Sequence, residues 1–413
     1  ARPKVLARFS SCILFTWGEL REMKIGILTQ PLHTNYGGLL QAFALQKYLR
    51  DMGHEVLTVD YSRKPRAWLA PYRLARRCAA KFVLRRNISL FPKPLPLGAG
   101  KFTQRFIEEN IRTTKKIFAP ARERDFAEYG FEAFVVGSDQ TWRPAYSPHM
   151  PTFFLDFLGD DTGTRRVAYA SSFGKDEWEF TPEMTTICAP LARKFHAISV
   201  REDSGVSLCE KYLGVSAAHV IDPTMLLSKE DYCGIVARDE ERGLLPPAGG
   251  KNLFFYDLSG TTQNRRLADD VADKLNLKVD AILPNRDVRL SGSVAYPPVS
   301  MWLRGFRDAE FVVTDSFHGC VFSIIFNKPF IAIGNKYGGM SRFYSLLKMF
   351  GLENRLLSLD EDFSNLRERV SSLVSEKIDW ETVNALRSCE QVRSRAFLEN
   401  ALPQISQIRA ERK

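Results

Sequence analysis

From residue 24 onward the chain alternates between short unbroken apolar runs and stretches with an apolar residue every third or fourth position. K-I-G-I-L-T-Q at 24–30 is a run of the first kind, followed by the polar turn H-T-N-Y-G-G. Leu39, Phe43, Leu45 and Leu49 then set a helical spacing that stops at Gly53, and E-V-L-T-V-D-Y at 55–61 returns to a strand. Unbroken β-branched runs read as strands covered on both faces, whereas the wider spacing reads as one side of a helix. Strand, glycine loop, helix and strand in this order open a doubly wound α/β domain. Further buried strands are expected at 131–140, 165–174 and 195–202, with a helix through Leu191, Ala192 and Phe195 before the last of them. C-E-K-Y-L-G-V closes another helix ahead of a short strand at H-V-I-D-P-T.

A change of domain is expected between about 223 and 250, where Pro223, the charged run D-E-E-R and P-P-A-G-G precede N-L-F-F-Y-D-L-S-G. The alternation then repeats: a helix over 262–276, a strand at V-D-A-I-L-P, a helix at 299–307 and a strand at 310–315. The apolar helix C-V-F-S-I-I-F follows, and then the strand F-I-A-I-G-N. The pattern predicts two tandem Rossmann-like α/β domains, 23–223 and 224–375, facing a cleft. A helical segment, 376–413, carries Val383, Leu386, Val392 and Leu398 as apolar anchors. Residues 1–22 have only a short apolar stretch, broken at Gly18 and Glu19, and Met23 precedes a clean strand. They read as an upstream extension without fixed structure.

At 413 residues the chain exceeds the size at which one core keeps growing, so two domains fit. Apolar residues at 45% and charged residues at 26% exclude a largely disordered chain. The seven cysteines are scattered and never form C-x-x-C, which argues against a disulfide framework or zinc site and for a cytoplasmic location. No unbroken apolar run is long enough to span a bilayer. The net charge of +10 is concentrated at 63–101, a segment with eleven Lys and Arg residues and no Asp or Glu. Within it Leu74, Cys78 and Phe82 are helically spaced among basic positions. Two readings stand: a face for an anionic membrane or polyanionic substrate, and a solvated helix face. Nucleic acid is not expected as a partner, because no base-reading motif accompanies the charge.

Four loops carry candidate chemistry. Asn35, Tyr36, Gly37 and Gly38 precede a helix, where paired glycines and free amides admit an anion or a sugar oxygen, or make a tight turn. His33 lies in the same loop, and Gln41 in the helix behind it is counted with the substrate contacts. The spacing is neither a dinucleotide fingerprint nor a P-loop. At 137–142, Ser138, Asp139, Gln140 and Trp142 end a strand with groups suited to a sugar, and Asp139 serves as a base or as a helix cap. Arg201 suits bidentate binding of carboxylate or phosphate, with Glu202 as an alternative local partner. T-D-S-F-H-G at 314–319 sits where a strand gives way to the apolar helix starting near Cys320. There Ser316, His318 and Gly319 can meet a phosphate, or His318 can move a proton or simply cap the helix. No His, Cys or acidic spacing suggests a metal.

N-Y-G-G-L-L-Q-A-F-A-L, V-V-G-S-D-Q-T-W, Y-A-S-S-F-G, I-S-V-R-E, D-P-T-M-L-L and T-D-S-F-H-G-C-V-F-S-I-I-F-N-K-P-F together resemble the polysaccharide pyruvyl transferase family, in family order from about residue 23 to 335. The resemblance implies a GT-B-like arrangement of two Rossmann-like domains around a cleft. It implies phosphoenolpyruvate as donor, no further cofactor, and a pyruvate ketal placed on a hexose of a bacterial capsule, exopolysaccharide or cell-wall polymer. By motif, Arg201 and His318 are implied to hold phosphoenolpyruvate or transfer its protons. Many members carry an Arg where this chain has Ser316, and Arg342, after G-G-M-S, is the expected substitute.

The implied reaction protonates the enol carbon, lets a sugar hydroxyl attack, expels phosphate and closes a ring with a second hydroxyl. His318 and Asp139 are the expected proton carriers and Arg201 the anion clamp. A lipid-linked oligosaccharide acceptor would account for the basic segment and for peripheral placement at the inner membrane face. Two other classes remain: a nucleotide-sugar glycosyltransferase and a non-catalytic carbohydrate- or polyanion-binding protein.

Overall fold

A computed structural model of the chain describes residues 22–63, 70–79, 81, 98–247, 249–282, 295–334, 339–358 and 363–402. The first strands are β1 (Lys24–Leu28), β2 (Glu55–Thr58), β3 (Tyr61–Ser62), β4 (Ile117–Phe118), β5 (Ala133–Val136), β6 (Arg165–Ser171), β7 (Ala197–Val200) and β8 (Ala218–His219). Six of these form a parallel sheet in the order β2-β1-β5-β6-β7-β8, and β3 pairs with β4. A second parallel sheet, β10-β9-β11-β12-β13, is built from β9 (Asn252–Tyr256), β10 (Lys278–Ile282), β11 (Phe311–Thr314), β12 (Phe330–Ile333) and β13 (Leu356–Leu357). β5, β11 and β12 are buried at every position, without alternation, because helices cover both faces of each sheet. The chain therefore forms two Rossmann-like α/β domains in a GT-B-like arrangement with a cleft between them.

Helices α1 (Tyr36–Asp51), α2 (Ala70–Cys78), α3 (Lys101–Asn110), α4 (Pro182–Ala192), α5 (Asp203–Leu208) and α6 (Lys229–Glu241) accompany the first sheet in the chain. The second has α7 (Thr262–Leu275), α8 (Val299–Asp308), α9 (Phe317–Ile325), α10 (Ser341–Met349) and α11 (Phe363–Ser375), and α12 (Trp380–Ala401) follows. α9 begins at Phe317 rather than near Cys320, because the Ser316 hydroxyl accepts from Gly319 N (3.3 Å) and caps the helix early. Every residue of α9 is buried, which fits a helix that is apolar on nearly all sides.

Both sheets reverse direction in the same way. From β1 the chain steps outward to β2 and returns to the far side of β1 as β5; from β9 it steps out to β10 and returns as β11. Such reversals open a crevice beyond the carboxyl ends of the two central strands. One continuous apolar cluster fixes the two crevices relative to each other, drawing Leu39 and Leu40 from α1, Trp302 and Leu303 from α8, and Val321 and Phe322 from α9. Tyr36 stacks on Trp302 at 5.8 Å between ring centroids, and Trp302 meets Tyr256 at 5.2 Å and Phe322 at 5.0 Å. Each such buried ring contributes about 1.5–3 kcal/mol by burial alone, so the halves are held by packing as well as by the chain.

α12 ties the halves together. Gln391 Nε2 donates to Met225 O (2.6 Å) and Arg395 to Leu226 O (2.7 Å), while Arg387 donates to Ile325 O (3.2 Å) in α9. The expectation for residues 1–22 lies, apart from residue 22, outside the described residues. So does much of the basic segment, including Phe82; α2 is its helical part, with Arg76 and Arg77 in its last turn. No helix of the described residues is long and apolar enough to cross a membrane.

Candidate functional site

The two crevices merge. Loops leaving β1 (His33, Asn35), β5 (Asp139, Gln140) and β11 (Ser316, His318) line one cavity of ≈ 750 Å³. That volume is within the range of small-molecule sites. The helix N-termini beside it belong to α1 and α9, whose free amides and dipoles favour an anion.

The first wall is held by side-chain bonds between loops. Asn35 caps α1 by accepting from Gly38 N (3.0 Å). Gln41 does not face the cavity; it donates to Thr29 Oγ1 (2.8 Å) and Gly38 O (2.9 Å) and accepts from Ser138 N (3.0 Å), locking the loops after β1 and β5 together. Ser138 is enclosed and donates to Ala170 O (3.1 Å). Trp142, expected at a sugar, is instead core: it donates to Phe153 O (3.0 Å) and stacks on Phe154 at 5.0 Å. Tyr36 is likewise turned into the domain interface, where its hydroxyl donates to Pro297 O (2.8 Å). Asp139 sits in the left-handed region (φ 73), uncommon without a glycine, and this turn aims its carboxylate at Gly38 and Arg201.

Behind Asp139 lies a buried ion network. Arg201 Nη1 donates to Asp222 Oδ2 (2.8 Å) and Nη2 to Asp139 Oδ1 (3.3 Å), with its guanidinium 4.4 Å from the Phe317 ring centroid. Glu202 is not its hydrogen-bonding partner; Glu202 Oε1 instead accepts from Phe173 N (2.7 Å), Gly174 N (3.1 Å) and Ser172 Oγ (3.1 Å). Asp222 was not singled out from sequence, yet it joins the halves: Oδ1 accepts from Thr224 N (3.0 Å) and Oγ1 (2.7 Å), and Oδ2 is 3.5 Å from His318 Nε2. Burial alone would push the Asp222 carboxyl up, but His318 and Arg201 outweigh it and hold it below the ordinary range. Asp139 behaves likewise: burial is outweighed by Arg201, His318 and Arg342.

The second wall brings His318 against α1. A Cβ on Gly37 would stand 2.1 Å from His318 Nδ1, so only glycine permits this approach. Gly319 is required for packing, since a Cβ there would meet Thr314 Oγ1 at 2.2 Å. Arg342, in α10, lines the cavity with its guanidinium 5.5 Å from the Phe317 centroid. Burial first, and Arg201 next, push its pKa down to about 10 despite the pull of Asp139. His33 stands at the rim, where desolvation lowers its pKa more than Asp139 raises it.

Below this wall Asp315 accepts from Leu258 N (2.6 Å) and Ser259 N (2.9 Å), and from the Ser259 hydroxyl. Its neighbour Asp257 is buried and accepts from Asn264 Nδ2 (2.7 Å). Burial, and then the Asp315 carboxylate, raise Asp257 to about 7. Among the described residues no His, Cys, Asp and Glu cluster could hold a metal ion.

A family model described as polysaccharide pyruvyl transferase matches residues 35–337, nearly three quarters of the chain and all four of these loops save the residues before Asn35. The chain belongs to that family. Membership makes it a pyruvyltransferase-like enzyme in general terms. No curated protein matches it. Among solved structures it is similar to UDP-N-acetylglucosamine 2-epimerase from Rickettsia bellii, with 9% identity and TM-score 0.47 over 92% of this chain and 99% of that one. A UDP-GlcNAc 2-epimerase from Neisseria meningitidis bound to UDP-GlcNAc gives 10% identity and TM-score 0.45 over 90% and 99%.

Proposed function

We propose that the protein transfers the pyruvyl group of phosphoenolpyruvate onto two hydroxyls of one sugar, forming a cyclic ketal and releasing phosphate. The observation that carries this is a buried cation, Arg342, lining the same cavity as His318 and the N-terminus of α9. A guanidinium on that wall, close to the first amides of α9, suits the carboxylate or phosphate of the donor. Arg342 takes the place of the family arginine absent at Ser316. The α9 amides bind the phosphate.

Asp222, 3.5 Å from Nε2, orients the His318 ring, whose imidazolium form gives its proton to the methylene carbon of the enol. The C2 centre so formed accepts the first sugar hydroxyl. Phosphate then leaves with the C–O bonding pair, the second hydroxyl attacks, and the protons of the two hydroxyls restore the imidazolium and protonate phosphate. Asp139, held ionised by Arg201, orients the attacking hydroxyl as an acceptor rather than keeping its proton. Arg201, with Nη1 on Asp222 and Nη2 on Asp139, positions the two aspartates. The basic helix α2 suits a lipid-linked acceptor at an anionic membrane, and charge removal at Arg76 and Arg77 should weaken liposome flotation by about 1 kcal/mol per charge at low salt. Unchanged flotation would make it a solvated face.

The test incubates the protein with phosphoenolpyruvate and a panel of glycosides. Phosphate release and an acceptor gain of roughly 70 Da, by the stoichiometry above, are expected. No phosphate release, together with turnover of a nucleotide sugar, would replace this reading with glycosyl transfer.

A further inference from the structure

A second cavity, of ≈ 660 Å³, adjoins the first on the N-terminal domain. The two share Arg63 and Pro148 as common wall residues, so they form one continuous groove leaving the site. At the junction Tyr146 lines the first cavity and is 47% exposed, so a ring face is open to a ligand there. The ring is not loose. Arg143 lies 4.8 Å from its centroid, and Arg143 is itself held by Glu179 (3.0 Å) and Gln140 Oε1 (2.8 Å). One face of Tyr146 is thus backed by a fixed cation. Arg63 is fixed too, donating to Ser147 O (2.9 Å).

Beyond the junction the groove is lined by the stiff prolines Pro120, Pro144 and Pro151 and by Ile187, which is 53% exposed. His149, Thr181 and Glu183 interrupt that wall with polar groups. A hydrocarbon tail would desolvate the Glu183 carboxylate and gain nothing from the other two. A sugar instead offers hydroxyls to the polar groups and C–H faces to the ring, prolines and Ile187.

We propose that this groove binds the acceptor as a glycan of more than one unit, with the sugar that receives the ketal stacked on Tyr146 and the adjoining units in the cavity beyond Arg63 and Pro148. This rests on the proposed acceptor being a sugar, and adds that the protein measures its length. Tyr146 is a binding residue for the acceptor and makes no contact with the donor.

The experiment measures binding without turnover, so that it stands apart from the reaction test. Methyl hexopyranosides of gluco, galacto and manno configuration, the corresponding di- and trisaccharides, and octyl glycosides of the same sugars are titrated into wild type, Tyr146→Ala, Tyr146→Phe and Ile187→Glu. At least one trisaccharide should bind wild type tenfold or more tightly than its monosaccharide. Tyr146→Ala should weaken monosaccharide and trisaccharide alike by about tenfold, with Tyr146→Phe near wild type and phosphoenolpyruvate binding unchanged in all. Ile187→Glu should remove the length advantage and leave monosaccharide binding as it was. Equal affinity for all lengths, no binding by any sugar, or unchanged binding in Tyr146→Ala would overturn the proposal. Octyl glycosides binding more tightly than trisaccharides would assign the groove to a lipid tail and overturn it as well. Loss of phosphate release with this binding pattern intact would discard the reaction and keep the groove.

Discussion

The two crevices share a topology and differ in how they handle acid. In the first domain the carboxylates of Asp139, beyond β5, and Asp222, beyond β8, are balanced by Arg201, and both are held below the ordinary range. At β9 and β11 no arginine does this work among the described residues: Asp315 is satisfied by amides and a hydroxyl, and Asp257 is raised to about 7. The first crevice stores ionised charge and the second stores a proton. His318 crosses over, carried by the second domain and facing Asp222 of the first. The same fold thus provides an electrostatic floor on one side and a proton-bearing wall on the other, and the proposed chemistry lies where they meet.

The contrast is broken most severely at Asp222. Asp222→Asn leaves Arg201 buried with one weaker ion pair, and removing one member of a buried pair costs roughly 3–5 kcal/mol. Urea unfolding should show a loss of that size, and a change below about 1 kcal/mol would mean the network is not what holds the floor. Next comes the seam. Gly37→Ala drives a methyl into His318 Nδ1, and overpacking of this kind costs roughly 1–3 kcal/mol. Thermal unfolding should report it together with reduced turnover; a fully active, equally stable variant would deny the close approach.

Much of this was legible in the sequence. Buried parallel strands announce themselves as unbroken apolar runs, and the repeated alternation gave both sheets. His318 was marked by its place between an apolar strand and an apolar helix. Asp222 was not, because an Asp before Pro after a two-residue strand reads as an ordinary turn former. Its meaning lies in Arg201 and His318, which are distant in sequence. Trp142 misled for the opposite reason: an aromatic after a polar strand end suggests a sugar platform, but its volume is taken up by Phe154 and the 150–154 turn. The exposed ring on the cavity wall is Tyr146, in a loop whose composition says little.

The two crevices should also differ in the sign of their pH dependence. Asp139 and Asp222 have depressed pKa values, so the stability they lend is present above the ordinary carboxylate range and is lost on acidification. Asp257 is raised, so its contribution is complete while it is protonated and is lost as pH climbs toward 7. Between pH 4 and 7 the unfolded chain has released this proton and the folded one has kept it, which lowers stability by about 1.4 kcal/mol per pH unit. Asp257→Asn should flatten that part of the profile. An unchanged slope would assign the titration elsewhere.

The central claim is that His318, at the meeting of the two crevices, moves a proton to the donor. It is tested by acceptor-dependent phosphate release from phosphoenolpyruvate in wild type, His318→Ala and His318→Gln, each checked for wild-type fold by circular dichroism. The account predicts that His318→Ala loses at least a hundredfold in kcat, and that His318→Gln, which keeps a donor but cannot exchange a proton at neutral pH, recovers little of it. Turnover of His318→Ala near the wild-type rate would contradict the account and move the chemistry to Asp139 and the loop after β1.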